Sequence, residues 1–141
     1  MILYLDTSAL VKLYADEAGS EMVRRAVVRA QLVATSFVTY AETRSALARK
    51  RREGGISAAG LKRLKREFER DWARLQRLPI DEATVRKAGE LAEEHALRAF
   101  DAIHLATADS LQVALRAAVT FACFDSLLSD AAKLRGLDPL V

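Results

Sequence analysis

Short apolar runs alternating with amphipathic segments predict an α/β domain with a central, mostly parallel sheet flanked by helices. Apolar runs at residues 2–5, 32–35, 118–122 and 137–141 have strand length and strand-like boundaries. Between them, apolar residues recur at steps of three or four, the helical period. The length of 141 residues, 51% hydrophobic and 29% charged, fits one globular domain over residues 1–141. It excludes a disordered tail, whose low hydrophobicity cannot offset the entropy of ordering.

The elements follow in order. Strand 2–5 runs straight into Asp6, and Leu10, Leu13 and Tyr14 predict a helix over 7–15. Gly19 and Ser20 open a second helix reaching Ala30. After strand 32–35, Ser36 is suited to cap a helix that carries Glu42 and ends at Gly54-Gly55. Leu61, Leu64, Phe68, Trp72, Leu75 and Leu78 predict one long helix over 57–78, stopped by Pro79. Helices over 81–96, 101–115 and 126–134 complete the set, and the basic hairpin around Gly54 is expected to project from the core.

No apolar run approaches the roughly 20 residues that span a bilayer, so no membrane segment is expected. The start has no basic leader, and the single Cys123 lies among Phe121, Ala122 and Phe124, which suits a core thiol in a reducing cytoplasm.

Four acids stand out. Asp6 and Asp125 each follow an apolar strand, at the sheet edge where parallel sheets bind ligands. Glu42 has small and apolar neighbours one turn away, and Asp101 precedes the apolar run Ala102-Ile103. Carboxylates brought together ionise jointly only around a cation, and hard oxygen donors without a histidine pair select Mg²⁺ or Mn²⁺ over zinc. Thr7 and Ser8 are placed to hydrogen-bond such a site. Each acid also has a plainer reading: Asp6, Asp101 and Asp125 as helix caps, Glu42 as a solvated helix residue. His104 is expected to pack or hydrogen-bond within its helix rather than ligate, and Asp109, two turns beyond Asp101, lies outside the site.

The formal charge is only +3, but its distribution is uneven. From Arg44 to Arg77 there are 12 basic residues against 4 acids, a surplus of +8 that leaves the remainder at −5. Arg49, Lys50, Arg51 and Arg52 lead this basic stretch toward Glu42, as a phosphate track would, although a solvated helix face has the same pattern.

Asp6-Thr7-Ser8-Ala9-Leu10-Val11-Lys12-Leu13-Tyr14, Ala41-Glu42, Asp101-Ala102-Ile103-His104-Leu105-Ala106-Thr107-Ala108 and Phe124-Asp125-Ser126-Leu127-Leu128, in this order and spacing, resemble the PIN-domain ribonucleases, specifically their VapC-type toxins. The resemblance implies a metal-dependent endoribonuclease acting as the toxin of a type II toxin–antitoxin system, using Mg²⁺ with Mn²⁺ as the alternative. It maps the acidic quartet onto Asp6, Glu42, Asp101 and Asp125, with Ser8 and Thr7 in support. It also implies RNA as substrate, a cognate antitoxin, a homodimer, and products with 5′-phosphate and 3′-hydroxyl ends. An aspartyl phosphatase is disfavoured because Ser8 stands where a second aspartate belongs, and no glycine pattern marks a nucleotide loop. The rival of another class is a non-catalytic RNA-binding or protein-interaction module with a basic helical arm.

Overall fold

Strand β1 (Ile2–Leu5) sits at the centre of a five-stranded parallel sheet in the computed structural model, which describes residues 1–141. It pairs on one side with β2 (Leu32–Ser36) and on the other with β4 (Val119–Ala122). The edges are β3 (Gln76–Leu78) beside β2 and β5 (Asp138–Pro139) beside β4, giving the order β3-β2-β1-β4-β5. The chain therefore leaves β1 in one direction and later returns to its other side. That reversal opens a crevice at the carboxyl ends of β1 and β4.

Alternation along β1 divides the core in two. Leu3 and Leu5 face α1 (Thr7–Leu10), α2 (Ser20–Arg29), α3 (Val38–Arg52) and α4 (Ala58–Trp72), meeting Leu10, Val23, Leu47 and Phe68. Tyr4 faces α5 (Glu82–His95), α6 (Ala99–Leu115) and α7 (Ser126–Leu134), meeting Leu91, Leu105 and Leu128. Burial of a large apolar side chain is worth about 1.5–3 kcal/mol, and these clusters hold the helices of each layer on the sheet. No helix is long and apolar enough to cross a membrane.

Several sequence expectations need correction. The helix expected over 57–78 ends at Trp72; Arg74 N–H bonds Asp71 C=O in a turn, and Gln76–Leu78 become β3. Leu75 and Leu78 continue the helical spacing, but the open edge of β2 offers backbone partners that helix propensity does not outweigh. Leu47, Leu64, Phe68 and Trp72 anchor the two helices of the basic hairpin in the core, while residues 51–55 at its tip are exposed. The helix expected over 7–15 is α1 followed by a 3-10 turn, Val11–Leu13. Helix α6 starts two residues earlier than expected, and the last strand shortens to two residues. Ser36 closes β2 rather than capping α3, although its Oγ still accepts from the Val38 N–H at 3.2 Å.

Candidate active site

The crevice at the strand ends is a groove of about 760 Å³, and Asp6, Glu42, Asp101 and Asp125 all line it. They arrive from four separate stretches of chain. Asp6 leaves the end of β1 in extended conformation and caps α1, its Oδ1 accepting from Ala9 N–H at 2.9 Å and from Ser8 Oγ at 2.7 Å. Ser8 Oγ in turn accepts from the Phe124 N–H at 3.0 Å, tying the loop after β4 to the loop after β1. Asp125 caps α7 by accepting from Leu128 N–H at 3.0 Å. The cap readings of these two acids thus hold, but a cap uses only one carboxylate oxygen, and both residues also line the groove.

Asp101 is no cap. Arg98 occupies that position, and Asp101 sits in the first turn of α6, where the helix dipole favours a negative charge. Glu42 is not a solvated surface acid either. Its Oε1 accepts from Thr7 Oγ1 at 2.6 Å and from His104 Nε2 at 2.8 Å. Because an ionised carboxylate only accepts, Nε2 carries the proton, and a neutral ring then accepts the Tyr4 hydroxyl proton at Nδ1, 2.9 Å away. Burial holds the Tyr4 phenol far above its ordinary value, so it remains a donor.

Charge in the groove is unevenly matched. Burial raises the Asp6 carboxyl above the usual range, with His104, Ser8 and Ala9 partly opposing and Asp101 adding to the rise. Partial burial also pushes Glu42 up, but the hydrogen bonds from His104 and Thr7 outweigh it and hold Glu42 below its usual value. Arg98 bridges the other two acids, 3.1 Å from Asp101 and 4.0 Å from Asp125, on a side chain that is 83% exposed. No three His, Cys, Asp or Glu side chains converge closely enough to enclose an ion as they stand. The donor set nonetheless fits a hard divalent cation: four carboxylates with all-oxygen ligation and one exposed guanidinium among them.

Of the basic run, Arg49 and Lys50 line the groove, whereas Arg51 and Arg52 point outward from the last turn of α3. Cys123 is buried, with its thiol pushed up to about 12 by burial, which suits a core residue. Sequence reasoning missed two groove residues and misjudged a third. His104 does not bond within its helix: it reaches Tyr4 and Glu42, and a lone polar residue inside an apolar helix run was the available signal. Arg98 was readable only as a cation one turn before Asp101. Lys12 lines the groove while nearly buried, and its place between apolar neighbours in the first helix marked it.

The PIN domain family model matches residues 3–134. Ribonuclease VapC45 of Mycobacterium tuberculosis (strain CDC 1551 / Oshkosh) is 35% identical over 107 residues, covering 76% of this chain and 74% of that protein. Ribonuclease VapC46 of the H37Rv strain is 36% identical over 135 residues, covering 96% and 93%. Among solved structures, FitAcB from Neisseria gonorrhoeae superposes with a TM-score of 0.69 at 22% identity, covering 98% of this chain and 96% of that one. The sarcin-ricin loop cleaving toxin VapC20 of M. tuberculosis superposes with a TM-score of 0.66 at 19% identity, covering 92% and 94%. The two structural likenesses speak for the fold.

Proposed function

The chain belongs to the PIN-domain family, and on that premise we propose that it is an endoribonuclease, the toxin of a type II toxin–antitoxin pair, working in the cytoplasm as one domain over residues 1–141. The observation that carries this reading is the meeting of Asp6, Glu42, Asp101 and Asp125 in one groove, from positions as far apart as 6 and 125. A binding module needs no such convergence of like charges, which repel unless a cation joins them.

Asp6, Glu42 and Asp101 are the leading ligands for a divalent cation, Mg²⁺ or Mn²⁺, and Asp125 completes the set. When bound there, such a cation supplies a more acidic water and neutralises charge building on the phosphodiester. The protein's own work is positioning. Ser8 and the Ala9 N–H fix the Asp6 carboxylate, leaving it one oxygen for the groove. Thr7 and His104 fix Glu42, with Tyr4 setting the ring of His104. Arg49 and Lys50 hold the RNA backbone along the groove, and Arg51 and Arg52 extend the same field outward.

A toxin–antitoxin complex from Klebsiella pneumoniae shares this fold, and VapBC2 of Rickettsia felis and FitAB are solved bound to DNA fragments. An antitoxin that covers this groove, and a homodimer of the chain, are the partners expected here. The test is to express the chain without a partner and map new RNA 5′ ends, with Asp6→Asn and Asp101→Asn alongside. Cleavage and growth arrest lost in both variants support the reading. Arrest that persists in both, with no new 5′ ends, overturns it in favour of a binding module.

A further inference from the structure

The groove has a cationic wall that the four acids do not explain. Lys12, in the 3-10 turn after α1, is only 9% exposed, yet it lines the groove. Its Nζ donates to Glu17 Oε1 at 3.0 Å and lies 4.4 Å from the centre of the Phe124 ring. Lys50, from α3, donates to the other oxygen of the same carboxylate at 3.0 Å. Partial burial pushes Glu17 up, but the hydrogen bonds from Lys50 and Lys12 outweigh it and keep the carboxylate ionised.

Two ammonium groups therefore share one carboxylate, and a charge of +1 is left over at the groove wall. A lysine this buried is costly unless its charge is met, and half of one carboxylate meets it incompletely. We propose that Lys12 and Lys50, held apart by Glu17, form a phosphate subsite beside the four carboxylates, taking an RNA backbone phosphate adjoining the one that is cut. The inference rests on the ribonuclease reading for the identity of the polyanion.

The seat of Lys12 is built, which a solvated surface lysine's is not. Phe124 presents its ring face to the ammonium and its backbone N–H to Ser8, the residue that fixes Asp6. The subsite and the acidic centre thus share one anchor. On the far side, Gly19 lets the ring approach: a Cβ there would stand 2.6 Å from the Phe124 ring, and its φ of +91° also favours glycine. Lys50, Glu17 and Lys12 then tie α3 to the turn before α2, so the two cations keep a fixed spacing.

The test uses the full chain as native protein, Lys12→Met, Lys50→Met and Lys12→Arg, with a labelled single-stranded RNA. Cleavage is followed at saturating Mg²⁺, and binding by anisotropy in EDTA between about 50 and 300 mM salt. Each methionine variant is expected to raise KM about 3- to 10-fold with kcat moving less, and to lower the salt slope of binding by about 0.7, the value of one single-strand phosphate contact. Lys12→Arg, which keeps the charge, should retain the native slope. A strap that merely fastens the turn to α3 would change the melting temperature and leave the slope alone. Native KM and slope in both methionine variants, in a chain that cuts RNA, overturn the subsite while sparing the ribonuclease reading. A chain that never cuts RNA but loses slope in these variants overturns the ribonuclease reading and keeps the subsite. Should Lys12→Met fail to fold, Lys50→Met, at a partly exposed position, decides the matter.

Discussion

Helix α6 carries two aspartates eight residues apart, Asp101 and Asp109, and they meet opposite fates. Asp109 is buried and accepts both Lys87 Nζ at 2.7 Å and Arg135 Nη2 at 2.8 Å, so one carboxylate has two dedicated cations from α5 and from the end of α7. Asp101 shares a groove with three further carboxylates, and the cation nearest it is the exposed Arg98. The residue type and the helix are the same. What differs is the ratio of fixed cations to carboxylates. A surplus of cations closes the Asp109 cluster into a strut between α5, α6 and α7. A deficit leaves the groove able to take up positive charge from outside. Under-compensation, rather than the presence of acids, distinguishes the groove from the structural cluster at Asp109.

The largest effect expected is at Asp6. Asparagine keeps the N-cap acceptor for Ala9 N–H and removes a buried charge. Asp6→Asn should lower RNA cleavage by about 10³-fold or more, the scale of removing a central catalytic group. Its melting temperature should be no lower than native, so a thermal melt beside the cleavage assay separates function from fold. His104→Ala comes next. Glu42 loses its main positioning partner and Tyr4 its hydrogen bond, so kcat should fall about 10- to 100-fold. Stability should fall by about 1–3 kcal/mol in denaturant titration, as for a buried polar group left unpaired.

Asp109→Asn should do the reverse of Asp6→Asn. Two cations lose their carboxylate, and since Lys87 and Arg135 are each about a third exposed, the loss is about 2 kcal/mol rather than the larger cost of a fully buried pair. Cleavage by the folded variant should stay near native. Burial pushes Asp109 up, but Lys87 and Arg135 outweigh it and hold its carboxyl below the usual range. Its contribution is therefore full above the unfolded carboxyl value of about 4 and is lost as pH falls through the lower folded value. Denaturant midpoints should show the gap between native and Asp109→Asn constant at neutral pH and closing below about pH 4. The smallest effect is in the basic run. Arg49→Ala, which opens onto the groove, should weaken RNA binding a few-fold, whereas Arg52→Ala, pointing outward, should change it less than about twofold in the same anisotropy assay.

Much of this was legible in the chain itself. An apolar strand ending in an acid is local information, and Asp6 and Asp125 were readable for that reason. Glu42 and Asp101 were readable from neighbours within one helical turn. What escaped depends on contacts between distant segments. His104 acts across 62 residues to Glu42 and 100 to Tyr4, and no local pattern encodes those partners. The overrun at 57–78 has the same origin: Leu75 and Leu78 satisfy a helical period, but the decision belonged to the edge of β2. For Lys12 the sequence offered only its place between apolar neighbours; its seat against Phe124 and Gly19 comes from the fold.

The most direct measurement is calorimetric titration of Mn²⁺ into the native chain, Asp6→Asn and Asp109→Asn, without RNA. A groove short of positive charge predicts binding by the native protein, unchanged binding by Asp109→Asn and binding weakened at least tenfold by Asp6→Asn. Native-like binding by Asp6→Asn, or its loss in Asp109→Asn alone, would contradict the contrast between the two clusters on α6.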